Sequence, residues 1–73
     1  MVMSFDYSKL RGRIVEKFGT LSAFADAVNL SEVALSRKLN NKVAISQADI
    51  IVWSKALDVQ LEEYGAFYFA QKV

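Results

Sequence analysis

One stretch constrains the fold of this chain more than any other: Thr20 to Leu39, with the sequence TLSAFADAVNLSEVALSRKL. Apolar residues recur at helical spacing in each half, and Asn29, Leu30 and Ser31 separate the halves. Asparagine tolerates the left-handed conformation that a sharp turn needs, and serine is a preferred helix cap. The stretch therefore predicts two short amphipathic helices joined by a tight turn, a helix-turn-helix.

The residues before this stretch predict a first helix. Asp6 can cap its free amides, and Leu10, Ile14 and Phe18 recur at four-residue spacing as one buried stripe. Gly19 suits the left-handed residue that follows a helix end. The four basic residues of this helix are interpreted as a solvated face, of which one or two could touch phosphate: Lys9, Arg11, Arg13 and Lys17.

The residues after the stretch predict two more helices. Ser46 and Asp49 have the spacing of a capping box, so a fourth helix is expected from about Gln47 to Leu57. Two apolar residues on its flank suggest burial on two sides: Ile51 and Val52. A similar pattern around Gln60, which is a weaker cap than serine, predicts a fifth helix through about Phe69.

The length of 73 residues leaves room for one domain, residues 1–73, with the helix-turn-helix core at about residues 20–40. The expected fold is all-α, a compact bundle of five short helices. No apolar run approaches the roughly 18 residues that a membrane span needs, and the first residues lack the long apolar core of a signal peptide. These features fit a soluble cytoplasmic protein without a membrane partner.

Several chemistries are excluded by composition. The chain contains no histidine, which removes the usual general base and every histidine-containing triad. It contains no cysteine, so disulfides and cysteine-ligated zinc are absent too. Its three glycines are too sparse for a loop that cradles phosphate. We therefore expect no enzyme activity, no cofactor and no metal site.

Residue by residue, Leu21 to Asn40 resembles the helix-turn-helix of the Cro and phage-repressor family of DNA-binding proteins. Ala25 falls on the family's small residue, Asn29 on its turn glycine and Leu30 on the hydrophobic residue after it. Leu35 falls on the buried aliphatic residue of the recognition helix. The longer run FGTLSAFADAVNLSEVALSRKLNNKV is similar to small phage-encoded regulators of Gram-positive hosts. The resemblance implies a lambda-repressor-like DNA-binding domain in a bacterial host.

The resemblance also implies which side chains would contact DNA. Base reading falls to the start and outer face of the third helix: Ser31, Glu32, Val33, Ser36 and Arg37. Arginine is the commonest bidentate reader of guanine, glutamate can accept from cytosine, and valine can contact a thymine methyl group. Phosphate contacts fall to Thr20, Ser22, Lys38, Asn40, Asn41 and Lys42. Leu21 stands where many family members carry a glutamine that bonds phosphate, so one contact is missing.

Two functions remain open. The first is a sequence-specific transcriptional regulator of phage or prophage type that binds double-stranded operator DNA as a dimer, with the third helix in the major groove. The alternative is a modulator that binds a partner repressor protein. Glu32, Val33 and the missing glutamine favour the alternative, as does a pI of about 8.0, below the value of about 9 that marks many basic DNA-binding domains. These features do not reverse the choice, and operator binding is the predicted function.

Large aromatic residues accumulate near the C-terminus. They supply a surface for a homodimer or a partner protein, or else they complete the core: Tyr64, Phe67, Tyr68 and Phe69.

Overall fold

The computed structural model describes residues 4–71, which form five α-helices and confirm the predicted all-α bundle. The helices are α1 (Ser8–Phe18), α2 (Leu21–Ala27), α3 (Glu32–Leu39), α4 (Gln47–Leu57) and α5 (Tyr64–Tyr68), with a 3₁₀ turn at Leu61–Glu63. An isolated antiparallel bridge joins Phe5 to Gln71. None of these helices has the length and apolar character needed to cross a membrane. Residues 1–3 and 72–73, the ends of the predicted domain, lie outside the described residues.

Three helices begin at the hydroxyl caps that the sequence predicts. Thr20 caps α2 and Ser31 caps α3, and each hydroxyl accepts the backbone N–H three residues further on at 3.1 Å. At α4 the Ser46 hydroxyl accepts from the Asp49 N–H at 3.1 Å, and the Asp49 carboxylate accepts from the Ser46 N–H at 3.2 Å. These reciprocal bonds complete the predicted capping box, because two free amides of the first turn are satisfied together.

The start of α1 differs from the prediction. The cap position belongs to Tyr7, whose side chain makes no capping hydrogen bond. Asp6 precedes the cap, and its carboxylate accepts from the Ser8 N–H at 3.0 Å and from the Ser8 hydroxyl at 2.7 Å. The carboxylate thus still satisfies an amide of the first turn, from one residue further back than expected.

Three helices end at a left-handed residue that is not glycine. Asn29, Asn41 and Asp58 have φ values of 60°, 62° and 56° after α2, α3 and α4. In each case the next residue donates its N–H to the carbonyl five residues earlier, at 2.8 or 2.9 Å, which is the long bond of a Schellman motif. The predicted left-handed turn at Asn29 is therefore present, and the same device recurs at two further helix ends.

The core forms around α1, which contacts α2, α4 and α5. Leu10 and Ile14 of α1 are fully buried, as their four-residue spacing predicts. The Phe24 ring of α2 meets the Trp53 ring of α4 edge to face, with centroids 5.5 Å apart. The predicted inward residues of α3 and α4 are also buried: Leu35, Leu39, Ile50 and Leu57.

The prediction that α4 is buried on two sides is wrong. Ile51 and Val52 are 51% and 49% exposed, because the neighbouring helices cover only the face that carries Ile50, Trp53 and Leu57. A helix that is apolar beyond its buried stripe presents apolar side chains to solvent. The excess apolar residues of α4 are therefore surface residues.

Of the two alternatives for the C-terminal aromatic residues, a partner surface or the core, the surface is wrong for Phe67 and Tyr68, which are only 1% and 2% exposed. The reason is that α5 packs against α1. This contact places the Phe67 ring 5.0 Å from the Arg13 guanidinium, and the Tyr68 hydroxyl lies 2.8 Å from the Ser54 hydroxyl in a buried hydrogen bond. These two aromatic residues complete the core.

The solvated basic face predicted for α1 is wrong at two of its four positions. Arg13 donates to the carbonyls of Leu57 and Asp58 at 2.8 and 3.1 Å, at the C-terminal end of α4. Arg11 donates to the Asn40 side chain at 2.8 Å, just beyond α3. Both arginines therefore cap the ends of other helices, where unpaired carbonyls favour a cation.

We predict that Arg13→Met destabilises the protein by about 1–3 kcal/mol, because methionine keeps an apolar stem but leaves the α4 carbonyls without their charged donor. Urea unfolding followed by circular dichroism measures the change. Lys17→Met is the matched control, since Lys17 is exposed on the same helix, and it should change the unfolding free energy by less than about 0.5 kcal/mol. Equal effects of the two substitutions would contradict the capping role.

Candidate functional site

The five side chains predicted to read bases lie together on α3 and its cap. Ser31, Glu32, Val33 and Arg37 are exposed, with Val33 at 62%, and Ser36 is half-buried. A shallow, open depression is lined by Glu32, Val33, Ser36 and Arg37. Among the described residues Arg37 forms no ion pair. The face is therefore accessible, although it combines one acid, one base and one large apolar side chain.

Lys38, predicted to contact phosphate, is bound inside the domain instead. Its ammonium group forms an ion pair with the Asp49 carboxylate of α4. The two side chains are only 16% and 18% exposed. The lysine therefore links α3 to the first turn of α4, and its charge is largely neutralised where it lies.

Asn40 and Asn41, also predicted to contact phosphate, make hydrogen bonds within the domain. Asn40 accepts from Arg11 and donates to the Ser36 hydroxyl at 3.2 Å. Asn41 accepts from the Phe5 N–H at 2.9 Å and donates to the Phe5 carbonyl at 3.0 Å. The Asn41 amide thus holds the N-terminal segment much as a neighbouring strand would.

The remaining predicted phosphate contacts are at the surface. Thr20, Ser22 and Lys42 are exposed, although the Thr20 hydroxyl already caps α2. Of the two lysines assigned to phosphate, Lys42 alone lacks an ion pair within the described residues. The predicted set of phosphate contacts therefore contains little unpaired positive charge.

The electrostatics of the α3–α4 junction centre on Asp49. Burial disfavours the charged carboxylate, but hydrogen bonds from Lys38 and Ser46 and the positive charge of Lys38 outweigh this effect and lower the pKa of Asp49. Asp49 is therefore ionised at neutral pH and holds Lys38 as a charged pair.

A second candidate site is an apolar surface that joins α4 to the C-terminal segment. We define the Ile51–Phe69 surface as Gln47, Ile50, Ile51, Tyr64 and Phe69, which together line one open depression. Ile51 and Phe69 are 51% and 53% exposed, and Tyr64 is half-buried. Of the four aromatic residues predicted to form a partner surface, Tyr64 and Phe69 are thus accessible.

Phe69 also borders a neighbouring, more enclosed depression between the N-terminal segment and the loop before α4. Its walls include Phe5, Val43, Ile45 and Tyr68, and Val43 is 47% exposed. Sequence reasoning missed this depression because Phe5 and Val43 are far apart in the chain and meet only in the folded domain, where the Asn41 side chain binds the Phe5 backbone. An apolar residue in a polar turn, as Val43 is, was the one local signal.

We predict that Asp49→Asn destabilises the protein more at neutral than at acidic pH. A carboxylate whose pKa is lowered by folding stabilises the protein above its ordinary pKa of about 3.9, and this contribution is lost as pH falls through the folded value. Urea unfolding of wild type and variant should therefore give a difference that shrinks between about pH 7 and pH 3.

Asp26→Asn removes an exposed carboxylate on α2 and serves as the control, with an expected change below about 0.5 kcal/mol. A wild-type to Asp49→Asn difference that stays constant with pH would show that the ion pair does not stabilise the fold.

The chain is similar to a phage protein whose structure was solved in solution, the modulator of repression (MOR) of the temperate bacteriophage TP901-1 from Lactococcus lactis. Sequence identity is 39%, the match covers 90% of this chain and 89% of that chain, and the TM-score is 0.81. No curated protein matches this chain. These findings support a small phage-encoded regulator, whereas membership of the Cro and phage-repressor family stays a prediction. The family model described as "Protein of unknown function (DUF739)" matches residues 3–71, and the chain therefore belongs to the DUF739 family.

Proposed function

We propose that this protein is a phage or prophage regulator that binds a repressor protein directly and modulates its action. The observation that carries the proposal is the Ile51–Phe69 surface, because two exposed large apolar side chains, Ile51 and Phe69, line one depression there together with the half-buried Tyr64 ring. Single exposed apolar residues need no explanation, but a contiguous group of them marks a contact site for a protein.

The composition of this surface suits a protein partner. Phe69 and Tyr64 offer rigid aromatic rings, a residue type enriched at the centre of protein interfaces. Ile51 lies beside them on α4, and Gln47 adds a polar group at the edge. A nucleic acid backbone would find no positive side chain among the five residues that line the depression.

The similarity to a modulator of repression supports a repressor as the partner. That protein shares 39% identity and nearly the whole length of this chain. The internal ion pair of Lys38 points the same way, because a domain that binds DNA needs cations to displace counterions from phosphate. The side chains of Asn40 and Asn41, also predicted to contact phosphate, make hydrogen bonds within the domain instead. These observations favour repressor binding, the alternative stated from the sequence, over operator binding.

Binding of operator DNA through α3 is the second candidate. It is favoured by one observation: Ser31, Glu32, Val33, Ser36 and Arg37 share one accessible face, and Arg37 forms no ion pair among the described residues. In this case the Ile51–Phe69 surface would serve to pair two copies on two half-sites.

We predict that Ile51→Ser weakens binding to the repressor of the encoding phage or prophage by about tenfold or more, since a buried apolar anchor is worth about 2 kcal/mol. Isothermal titration calorimetry with the purified repressor measures the change. Val52→Ser is the matched control: Val52 is exposed to a similar extent, 49% against 51%, but does not line the depression.

Binding of Val52→Ser should stay within about twofold of wild type. The proposal fails if the wild-type protein does not bind the repressor, or if both substitutions weaken binding equally.

The DNA-binding candidate makes a separate prediction about Arg37. If α3 reads bases, Arg37→Ala should cost about 1–3 kcal/mol and relax specificity at one base pair. Mobility-shift titrations against operator duplexes, each changed at one base pair, measure this effect. Under the repressor-binding proposal, the protein alone gives no operator-specific shift, and Arg37→Ala changes nothing in this assay.

A further inference from the structure

The ion pair between Lys38 and Asp49 fixes a cation at the edge of the candidate DNA-contacting face. Lys38 directly follows Arg37 on α3, and its charge is held by a carboxylate on another helix. Asp49 is itself fixed, because it also belongs to the capping box with Ser46. A lysine held by an immobile acid cannot extend its ammonium group to a phosphate without breaking the pair.

The net charge of the helix-turn-helix is so small that the Lys38–Asp49 pair strongly affects its attraction to DNA. Residues 20–42 carry three basic side chains and two acidic ones, a net charge of +1. Counting Asp49 with them brings the net charge to zero. Because the attraction of a protein to duplex DNA comes mainly from cations that displace counterions, removal of a single acid changes a field that is otherwise near neutral.

We propose that Asp49 determines the partner specificity of this helix-turn-helix: by holding Lys38 it prevents contact with nucleic-acid phosphate and leaves the domain to a protein partner. The inference rests on the proposed function, in which a repressor and not DNA is the main ligand. Replacing the carboxylate by a neutral group should release Lys38 and give the domain a measurable affinity for duplex DNA.

The test compares wild type, Asp49→Asn and Glu62→Gln by fluorescence anisotropy with a labelled duplex of arbitrary sequence. Asp49→Asn should bind more tightly than wild type, with a plot of log affinity against log salt steeper by about 0.9, the value for one additional phosphate contact. Between about 50 and 200 mM salt, the affinity of Asp49→Asn should therefore fall by a factor about threefold larger than the wild-type affinity does.

Glu62→Gln is the matched control. It makes the same change in net charge, but Glu62 is exposed and belongs to the 3₁₀ turn, and it forms no ion pair with Lys38. It should leave the salt dependence at the wild-type value. Adding Lys38→Gln to Asp49→Asn should abolish the gain, because the released lysine is the group that contacts phosphate.

The possible results test the role of Asp49 and the proposed function separately. A salt dependence that is the same for Asp49→Asn and Glu62→Gln overturns the role of Asp49 and leaves repressor binding untouched. Operator-specific binding by the wild-type protein counts against the proposed function itself. Circular dichroism verifies folding of each variant, and Asp49→Ser, which keeps a hydroxyl acceptor for the Ser46 N–H, replaces Asp49→Asn if that variant does not fold.

Discussion

Helix length is the constraint on which the structure depends. The longest helices, α1 and α4, have 11 residues, whereas isolated helices shorter than about 12–15 residues are marginal in water. With no disulfide to add stability, each helix must gain it from the core and from its ends. Hydroxyl caps stabilise the helix starts, and left-handed residues stabilise the helix ends, through neighbours in the chain. The two arginines of α1 stabilise the ends of α3 and α4, which are distant in the chain.

The same need accounts for the unusual surface of the helix-turn-helix. Polar side chains that a DNA-binding domain would present to phosphate here stabilise helix ends and junctions. Asn41 holds the N-terminal segment at Phe5, Arg11 and Asn40 close the end of α3, and Lys38 joins α3 to α4 through Asp49. Stability and phosphate binding draw on the same few side chains, so a domain that uses them internally loses electrostatic attraction to DNA.

Features set by near neighbours in the chain could be predicted from sequence. The caps at Thr20, Ser31 and Ser46 act three residues away, and the turn at Asn29 depends on its own backbone. Bonds between distant residues could not be predicted: Arg13 reaches a carbonyl 44 residues further on, and Asn41 reaches back 36 residues. The orientation of Phe67 and Tyr68 could not be predicted either, because α5 has only five residues and so too few turns to show a periodic face.

Helix α4 connects the two candidate surfaces, and its sequence explains how one small domain keeps them distinct. Asp49 and Ile51 are two positions apart, which on a helix of 3.6 residues per turn sets them on nearly opposite sides. The first faces Lys38 of α3, and the second lies beside Phe69. Ile50, which lies between them in the chain, is buried in the core and anchors this turn of α4. The carboxylate that pairs with Lys38 and the apolar side chain that we propose as a contact for a protein partner can therefore be changed independently, one side chain at a time.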